Sequence, residues 1–532
     1  MEYRIAVVED NATARTTLRS HLLPIGNIGV SSFTSGTELK GALRKQNFEL
    51  IFMDYHLGQG RSGVEWVQTL RESGFIRPST GIIFLTSDRS PQVIGSIMDL
   101  QPDALLIKPY TIASLTRQVE HYFTYRKYVE SALKSLDNNQ RTSAINFIRK
   151  CLREGVPPRL VADLRKLFAR LLFENGEYER ALILYEDVLT QSDRVLWAQW
   201  GKIKCQYASG EWTACKHDLN GMVGSSLAKD KAFEWLASLS FEQESYAQTE
   251  KYLENIKFSE LSLPAARLKT IAYQKQDKVI EAIDLLQKKR AMHRSAKDRF
   301  NDFTLELAEF YLMLAEESPA TNRKESLSQA RKLVGIAGRG QNDAQALQRR
   351  DFLLAFSAVL ENDDEKAAHF IDSEHMDNFV RTSPSTLVIA AKVFYKLGDE
   401  DKAAEALRLA REKNSAFLEV TEQASNSELI IEGGSKLDLN ETLAVSLNDS
   451  GMQLFQQKRY TQALKYFYDA FTLSISTAAF GLNLLQCMLE SDTAVYRKYT
   501  VQRLLTTLSD MQLNPPNQRR LQRLSSVANA NN

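Results

Sequence analysis

Four short clusters, far apart in the chain, carry the strongest chemical signal. Glu9-Asp10 follows one apolar run, Asp54 ends a second, Thr86-Ser87 ends a third, and Lys108-Pro109 ends a fourth. Carboxylates brought together repel one another unless a cation sits among them, so Glu9, Asp10 and Asp54 invite a hard divalent ion. A lysine and a hydroxyl are groups that hold an anion. Singly each feature is ordinary, since an acidic pair after a strand is usually a solvated loop and Lys-Pro is a common turn. Their weight lies in falling together, in order, at the ends of the same kind of element.

The elements that must position them are legible. Ile5–Val8, Val30–Phe33, Leu50–Met53, Ile82–Leu85 and Leu105–Ile107 are short, largely apolar runs, which suit strands buried on both faces. Helix-length segments lie between them, one opening at Ser35 as N-cap with Glu38 three residues on. The alternation predicts an α/β fold with a doubly wound, five-stranded parallel sheet. In such sheets ligands bind outside the carboxyl ends of the strands, where all four clusters fall.

With Met53-Asp54-Tyr55-His56-Leu57, Ser62-Gly63 and Leu85-Thr86-Ser87 around them, these residues resemble the receiver domain of two-component response regulators, over about residues 1–122. The resemblance implies that Asp54 accepts a phosphoryl group from a sensor histidine kinase. It implies Mg²⁺ as cofactor, held by Glu9, Asp10, Asp54 and the backbone carbonyl of His56. Lys108 would pair with one phosphoryl oxygen, Thr86 would donate its hydroxyl to another, and Lys108–Pro109 would be cis. At the position three before the lysine, where the family usually carries an aromatic switch, this chain has Leu105. The outward route of the signal is therefore left open.

From about Thr111 strand signals nearly vanish and helical periodicity takes over. Ala181, Cys215, Thr249 and Ala282 occupy equivalent places in successive segments, 34, 34 and 33 residues apart. A small residue there lets paired helices approach, and a larger residue four positions on fills the next turn. This spacing resembles the tetratricopeptide repeat. The expected organisation is a receiver at 1–122, a connecting helix at 123–136, and tetratricopeptide-like repeats at 137–415, with a poor match near 300–350. A linker at 416–440, marked by Glu432-Gly433-Gly434-Ser435, a last repeat with a trailing helix at 441–520, and a disordered tail at 521–532 complete it. The last receiver helix is expected to continue as a rod from about 112 to 135.

The composition narrows the function. The 532 residues carry 67 Lys+Arg against 66 Asp+Glu, so there is no basic excess to draw the chain to nucleic acid. The best basic candidate is the spread set Arg497, Lys498, Arg503, Arg519, Arg520 and Arg523. Trp197, Trp200, Trp212 and Trp235 read as repeat packing rather than a base-stacking platform. The four cysteines show no metal-ligand spacing and suit a reducing compartment. There is no apolar run long enough to span a membrane and no signal peptide, so a cytoplasmic location without a membrane partner is expected. No GxxxxGK[ST], HExxH or GxSxG occurs, so no second catalytic site is signalled. The expected protein is a regulator, not an enzyme, whose repeat array binds a protein or peptide. The sequence also leaves open a phosphorylation-gated nucleic-acid binder, a phosphate-independent scaffold and a homodimer.

Overall fold

The computed structural model describes residues 3–58, 60–224, 228–319, 323–339, 344–372, 376, 378–415 and 419–530. Five strands, β1 (Tyr3–Val8), β2 (Ile28–Phe33), β3 (Leu50–Asp54), β4 (Gly81–Thr86) and β5 (Ala104–Ile107), alternate with helices α1 (Ala12–Leu22), α2 (Gly36–Leu43), α3 (Gly63–Glu72), α4 (Pro91–Asp99) and α5 (Ile112–Tyr128). The strands form one parallel sheet in the order β2-β1-β3-β4-β5. β3 and β4 are buried along their whole length, which is why they read as unbroken apolar runs. Each predicted strand is present, longer by one or two residues. Ser35 caps α2 by accepting from Glu38 N at 3.3 Å, and Thr111 caps α5 by accepting from Ser114 N at 3.1 Å.

The rod expected from 112 to 135 is broken. α5 ends at Tyr128, and α6 (Glu130–Asp137) starts after Val129, whose φ is −100° and ψ 15°. No Pro or Gly sits there to signal the bend. Val129 is fully buried and joins Tyr125, Leu133 and Leu136 in one core, so tertiary packing overrides helix propensity.

Helices then follow without a further sheet: α7 (Arg141–Glu154), α8 (Val161–Glu174), α9 (Tyr178–Gln191), α10 (Leu196–Ser209), α11 (Trp212–Val223), α12 (Lys229–Glu242), α13 (Tyr246–Glu254), α14 (Leu263–Gln274), α15 (Val279–Met292), α16 (Lys297–Glu317), α17 (Arg323–Ala337), α18 (Ala344–Leu360), α19 (Asp364–Ile371), α20 (Pro384–Lys396), α21 (Glu400–Ser415), α22 (Val420–Lys436), α23 (Asn440–Gln456), α24 (Tyr460–Leu473) and α25 (Ala478–Glu490). A small antiparallel hairpin, β6 (Val495–Tyr496) and β7 (Tyr499–Thr500), precedes α26 (Val501–Ser509) and α27 (Pro515–Ala530). α9, α11, α13 and α15 begin at intervals of 34, 34 and 33 residues, the period of a repeated helical hairpin. The pattern fades near 300–350 because α16 has 21 residues and α18 has 17, which stretches the repeat out of phase.

Two expectations are corrected. Most of the segment expected to be a linker, 416–440, is helix α22, with Gly433 and Gly434 buried inside it. A Cβ on Gly433 would come within 2.6 Å of Val388 Cγ1, so the residue serves close helix approach and not chain flexibility. The tail expected to be disordered, 521–532, is helical through Ala530, with Leu521, Leu524 and Ala528 buried. Residues 531–532 and 416–418 lie outside the described residues.

The chain divides into two compact units. The first comprises Met1–Ala208, His217–Phe233 and Met292–Phe300; the second comprises Ser209–Lys216, Glu234–Ala291 and Asn301–Asn532. In the first, one apolar core runs from the sheet (Val7, Leu50) through α5 (Leu115, Tyr122) to α7 and α8 (Ile148, Leu164, Phe168). Polar contacts stitch the same surfaces. His121 Nε2 lies 2.9 Å from Asp163 Oδ2, Ser79 Oγ donates to Asp137 at 2.6 Å, and Lys204 Nζ meets both the carboxylate and the carbonyl of Asp99 at 2.7 Å.

In the second unit α22 is held by polar contacts along its length: Ser238 Oγ to Thr421 Oγ1 at 3.2 Å, Lys275 to Glu428 at 2.6 Å, and Lys436 to Glu316 at 2.8 Å. The turn of the β6–β7 hairpin packs back on earlier helix ends. Arg497 N donates to Gly210 O at 2.8 Å, the Arg497 guanidinium lies 4.7 Å from the Tyr468 ring centre, and Lys498 reaches Glu244 at 2.6 Å.

Gly433→Ala separates a linker from a packed helix. In a free linker the change would be harmless or stabilising, and in an open helix it would gain about 1 kcal/mol. Against Val388 it should instead cost about 1–3 kcal/mol of stability, read as a lower denaturation midpoint of the full chain.

Candidate functional site

The sheet brings the predicted clusters to one edge. In register, Asp54 pairs with Leu85 and Thr86 with Ile107, so Asp54, Thr86 and Lys108 follow one another across three adjacent strand ends. Glu9 and Asp10 leave β1, which borders β3 on its other side. Ligand oxygens of Glu9, Asp10 and Asp54 all lie within 4.8 Å of one another. Glu9 is 2% exposed and Asp54 5%, whereas Asp10 is open to solvent.

Lys108 answers that charge. Its Nζ lies 2.5 Å from Glu9 Oε2 and 2.8 Å from Asp54 Oδ1. Burial by itself pushes the Lys108 ammonium down, but its hydrogen bonds to Asp54 and Glu9 overcome this and raise it. The ammonium therefore stays charged. Burial pushes the Asp54 carboxyl up to about 6; Lys108 pulls against the shift, and Glu9 and Asp10 add to it. The Lys108–Pro109 bond is cis.

The loops are held locally. Asn11 Oδ1 caps α1 by accepting from Ala14 N at 2.9 Å, and Arg15 Nη1 donates to the carbonyls of Glu9 and Asp10 at 2.7 and 3.1 Å. Tyr55 N donates to Leu85 O and Gly63 N to Tyr55 O, at 2.9 and 2.8 Å. A Cβ at Gly63 would collide with the Asp54 carbonyl oxygen, so α3 can start this close to the acid only with glycine there. Ser62 and Glu65 form a reciprocal capping box on α3.

Thr86 is fully buried, and its hydroxyl turns to its own loop, accepting from Asp88 N at 3.0 Å and donating to Asp88 O at 3.3 Å. His56 follows Asp54 by two residues, and its exposed imidazole lies 3.6 Å from Asp88 Oδ2. Leu105 pairs with Phe84 in the sheet and packs, partly buried, against the core beneath α3 and α4.

Reasoning from sequence missed Arg15, which holds both acidic carbonyls, because an arginine on the first helix carries no motif. It also missed Arg299, whose link to this edge spans more than 200 residues of chain. Half of the rival basic set is spent on internal contacts, while Arg503, Arg519 and Arg523 are exposed. Arg497 pairs with Asp469, Lys498 with Glu244, and Arg520 with the side chains of Asn483 and Gln486. Trp200, Trp212 and Trp235 are buried in the repeats, and Trp197 is partly buried against the core of the first unit. The three acids, with oxygen donors alone, fit a hard divalent cation such as Mg²⁺. No helix among the described residues is long and apolar enough to cross a membrane.

Residues 5–120 match the family described as the response regulator receiver domain. Among solved structures, a response regulator protein from Burkholderia pseudomallei, with a phosphorylated aspartic acid, calcium ion and citrate, is similar over 29% of this chain and 99% of that one, at 20% identity and a TM-score of 0.20. A tetratricopeptide repeat protein from Parabacteroides merdae is similar over 57% and 98%, at 13% identity and a TM-score of 0.29. RcsB from Salmonella enterica serovar Typhimurium, bound to a promoter in the presence of a phosphomimetic, is similar over 41% and 93%, at 16% identity and a TM-score of 0.21. No curated protein matches the chain. The chain thus carries a response regulator receiver domain over residues 5–120, continued by a helical array of tetratricopeptide-like repeats.

Proposed function

We propose that this protein is a response regulator phosphorylated on Asp54 by a sensor histidine kinase, with its output delivered by protein–protein binding through the repeat array. The observation that carries the reading is the convergence of Glu9, Asp10, Asp54 and Lys108 at one edge of the parallel sheet. Phosphoryl transfer asks the protein mainly for positioning and charge neutralisation. An Asp54 oxygen forms the O–P bond as the donor's P–N bond breaks, and the departing histidine nitrogen takes up a proton. Lys108, already beside Asp54, neutralises one phosphoryl oxygen, and the Thr86 hydroxyl rotates from Asp88 to donate to another. Glu9, Asp10, Asp54 and the His56 carbonyl would hold Mg²⁺, which would supply positive charge against the incoming phosphoryl oxygens. Beyond this transfer and its hydrolysis the reading needs no enzyme activity. It places the protein in the cytoplasm, where such kinases present their phosphohistidine.

Protein binding is favoured over nucleic-acid binding by where the basic side chains are used. Arg497, Lys498 and Arg520 are engaged within the second unit. That unit also has a recess of about 90 Å³, lined by apolar side chains such as Phe310, Met313, Phe356 and Ile389, with Arg267, Glu306 and Lys392 at its walls. Burial alone would raise the Glu306 carboxyl, but the Arg267 and Arg349 guanidiniums hold it down at about 2. The wall charges are thus satisfied among themselves, which suits an uncharged, apolar side chain of a partner protein.

With Mg²⁺ and a small phosphodonor, the full chain should gain one base-labile acyl phosphate, and Asp54→Asn should gain none. Equal labelling of the variant, measured by intact mass, would remove Asp54 from the reading.

Proton competition gives a second check. Below about 6 the metal-free Asp54 carboxyl holds its proton and cannot ligate, so Mg²⁺ affinity should rise as pH rises through that value and then level off. Titration calorimetry at several pH values should show this slope in the wild type and not in Asp54→Asn.

A further inference from the structure

The loop from Tyr55 to Ser62 runs from the residue after Asp54 to the N-cap of α3. One end is tied to the sheet through Tyr55, whose N donates to Leu85 O at 2.9 Å. The other end is tied through Glu65, whose Oε2 accepts from Ser62 N at 2.8 Å and from Ser62 Oγ at 3.0 Å. Between these ends Leu57 packs, partly buried, against the core, while Gly58 and Gly60 carry no side chain with which to anchor themselves.

One side chain from far along the sequence reaches it. Arg299 stands in the first turn of α16, in the segment Met292–Phe300 that packs within the same compact unit as the receiver. Its Nε donates to Gly60 O at 2.9 Å, and its Nη2 pairs with Glu65 Oε2. The guanidinium is 18% exposed and the Glu65 carboxylate 24%. One planar group therefore bridges the middle of the loop and the residue that caps its end. A guanidinium presents its donors in a rigid fork suited to such a double contact, which an ammonium on a flexible stem cannot reproduce.

We propose that Arg299 is a positioning residue for phosphoryl transfer at Asp54, holding the Tyr55–Ser62 loop, and with it the His56 backbone, in the arrangement that receives the cation and the phosphoryl group. The proposal rests on the receiver reading above and adds to it that the repeat region supplies part of the site's support. It touches no substrate and acts only through the loop. Linkage makes the effect reciprocal, so whatever moves residues 292–300 alters the site, and whatever fills the site stabilises the Arg299 contact.

The test uses the full chain as wild type, Arg299→Ala, Arg299→Lys, Glu65→Gln and the Arg299→Ala/Glu65→Gln double variant. Glutamine still caps α3 but loses the charge. Three quantities are read: hydrogen exchange of residues 55–62 without metal, Mg²⁺ affinity, and the rate of acyl-phosphate formation from acetyl phosphate at saturating Mg²⁺. Arg299→Ala should speed exchange in the loop and weaken Mg²⁺ about tenfold, the low end of what loss of a ligand-supporting contact costs. Arg299→Lys should recover part of both effects. Glu65→Gln should shift them in the same direction, and the double variant should be little worse than either single change. Wild-type exchange and affinity in Arg299→Ala would overturn the proposal. If that variant does not fold, Arg299→Lys decides instead, and unaltered exchange and affinity there would overturn it equally. A wild type that takes no phosphate at all would remove the receiver reading. A wild type that labels normally beside an Arg299→Ala protein identical to it in all three readouts would remove the Arg299 proposal alone.

Discussion

A carboxylate withdrawn from water must be given another partner, and the architecture at the sheet edge answers that demand. Asp54 ends a strand buried on both faces, beside a second buried acid, Glu9. Unpaired, each would carry a desolvation cost large enough to drive neutralisation. The Lys108 ammonium between them offsets that cost and leaves a site that is charged and pre-arranged. The register of β3, β4 and β5 keeps the three strand ends level, and the capped starts of α1 and α3 keep the loops short. A one-residue slip in β3 would bury the carboxylate among Met53 and its apolar neighbours or turn it out of reach.

The same first unit shows how such an edge is joined to helices. No gap separates the sheet from the first repeats, since residues from Val7 to Tyr185 belong to a single core. The surface formed by the end of α4, the segment after it and α5 is covered by side chains of the following helices: Lys204 on Asp99, Asp163 on His121, and a hydrogen bond from Lys166 to the Pro102 carbonyl. The shared core ties the receiver to the helices that follow it, which are not beads on a string. Leu105 is less out of place in this setting. Its side chain packs, partly buried, against the core beneath α3 and α4.

Much of this was legible in the residues. The five apolar runs appear as strands because burial on both faces leaves no room for polar alternation, and the 34-residue spacing appears as helix pairs because small residues must recur wherever helices close on each other. The site clusters were legible for the same reason, since strand ends are where a parallel sheet exposes polar side chains. What escaped was set by contacts distant in sequence. Gly433-Gly434 looks like a flexible joint until Val388 and Asn440 are placed against it. The bend at Val129 has no local breaker, and the tail from Leu521 is held as helix by a core that composition alone does not reveal. Arg299 reads as one more surface charge until Gly60 and Glu65 are beside it.

The hairpin between β6 and β7 changes what kind of object the second unit is. In an open solenoid each repeat touches only its neighbours, the ends fray first, and repeats can be gained or lost with little penalty. Here a turn near residue 497 is fastened to the helix ends at Gly210 and Glu244, so the chain between them forms a loop closed by its own contacts. Inserting or deleting one hairpin of helices would carry Arg497 away from Gly210 and out of the aromatic cage of Tyr468, Tyr496 and Trp212. The contacts at residue 497 therefore set a condition on repeat number that an open solenoid lacks.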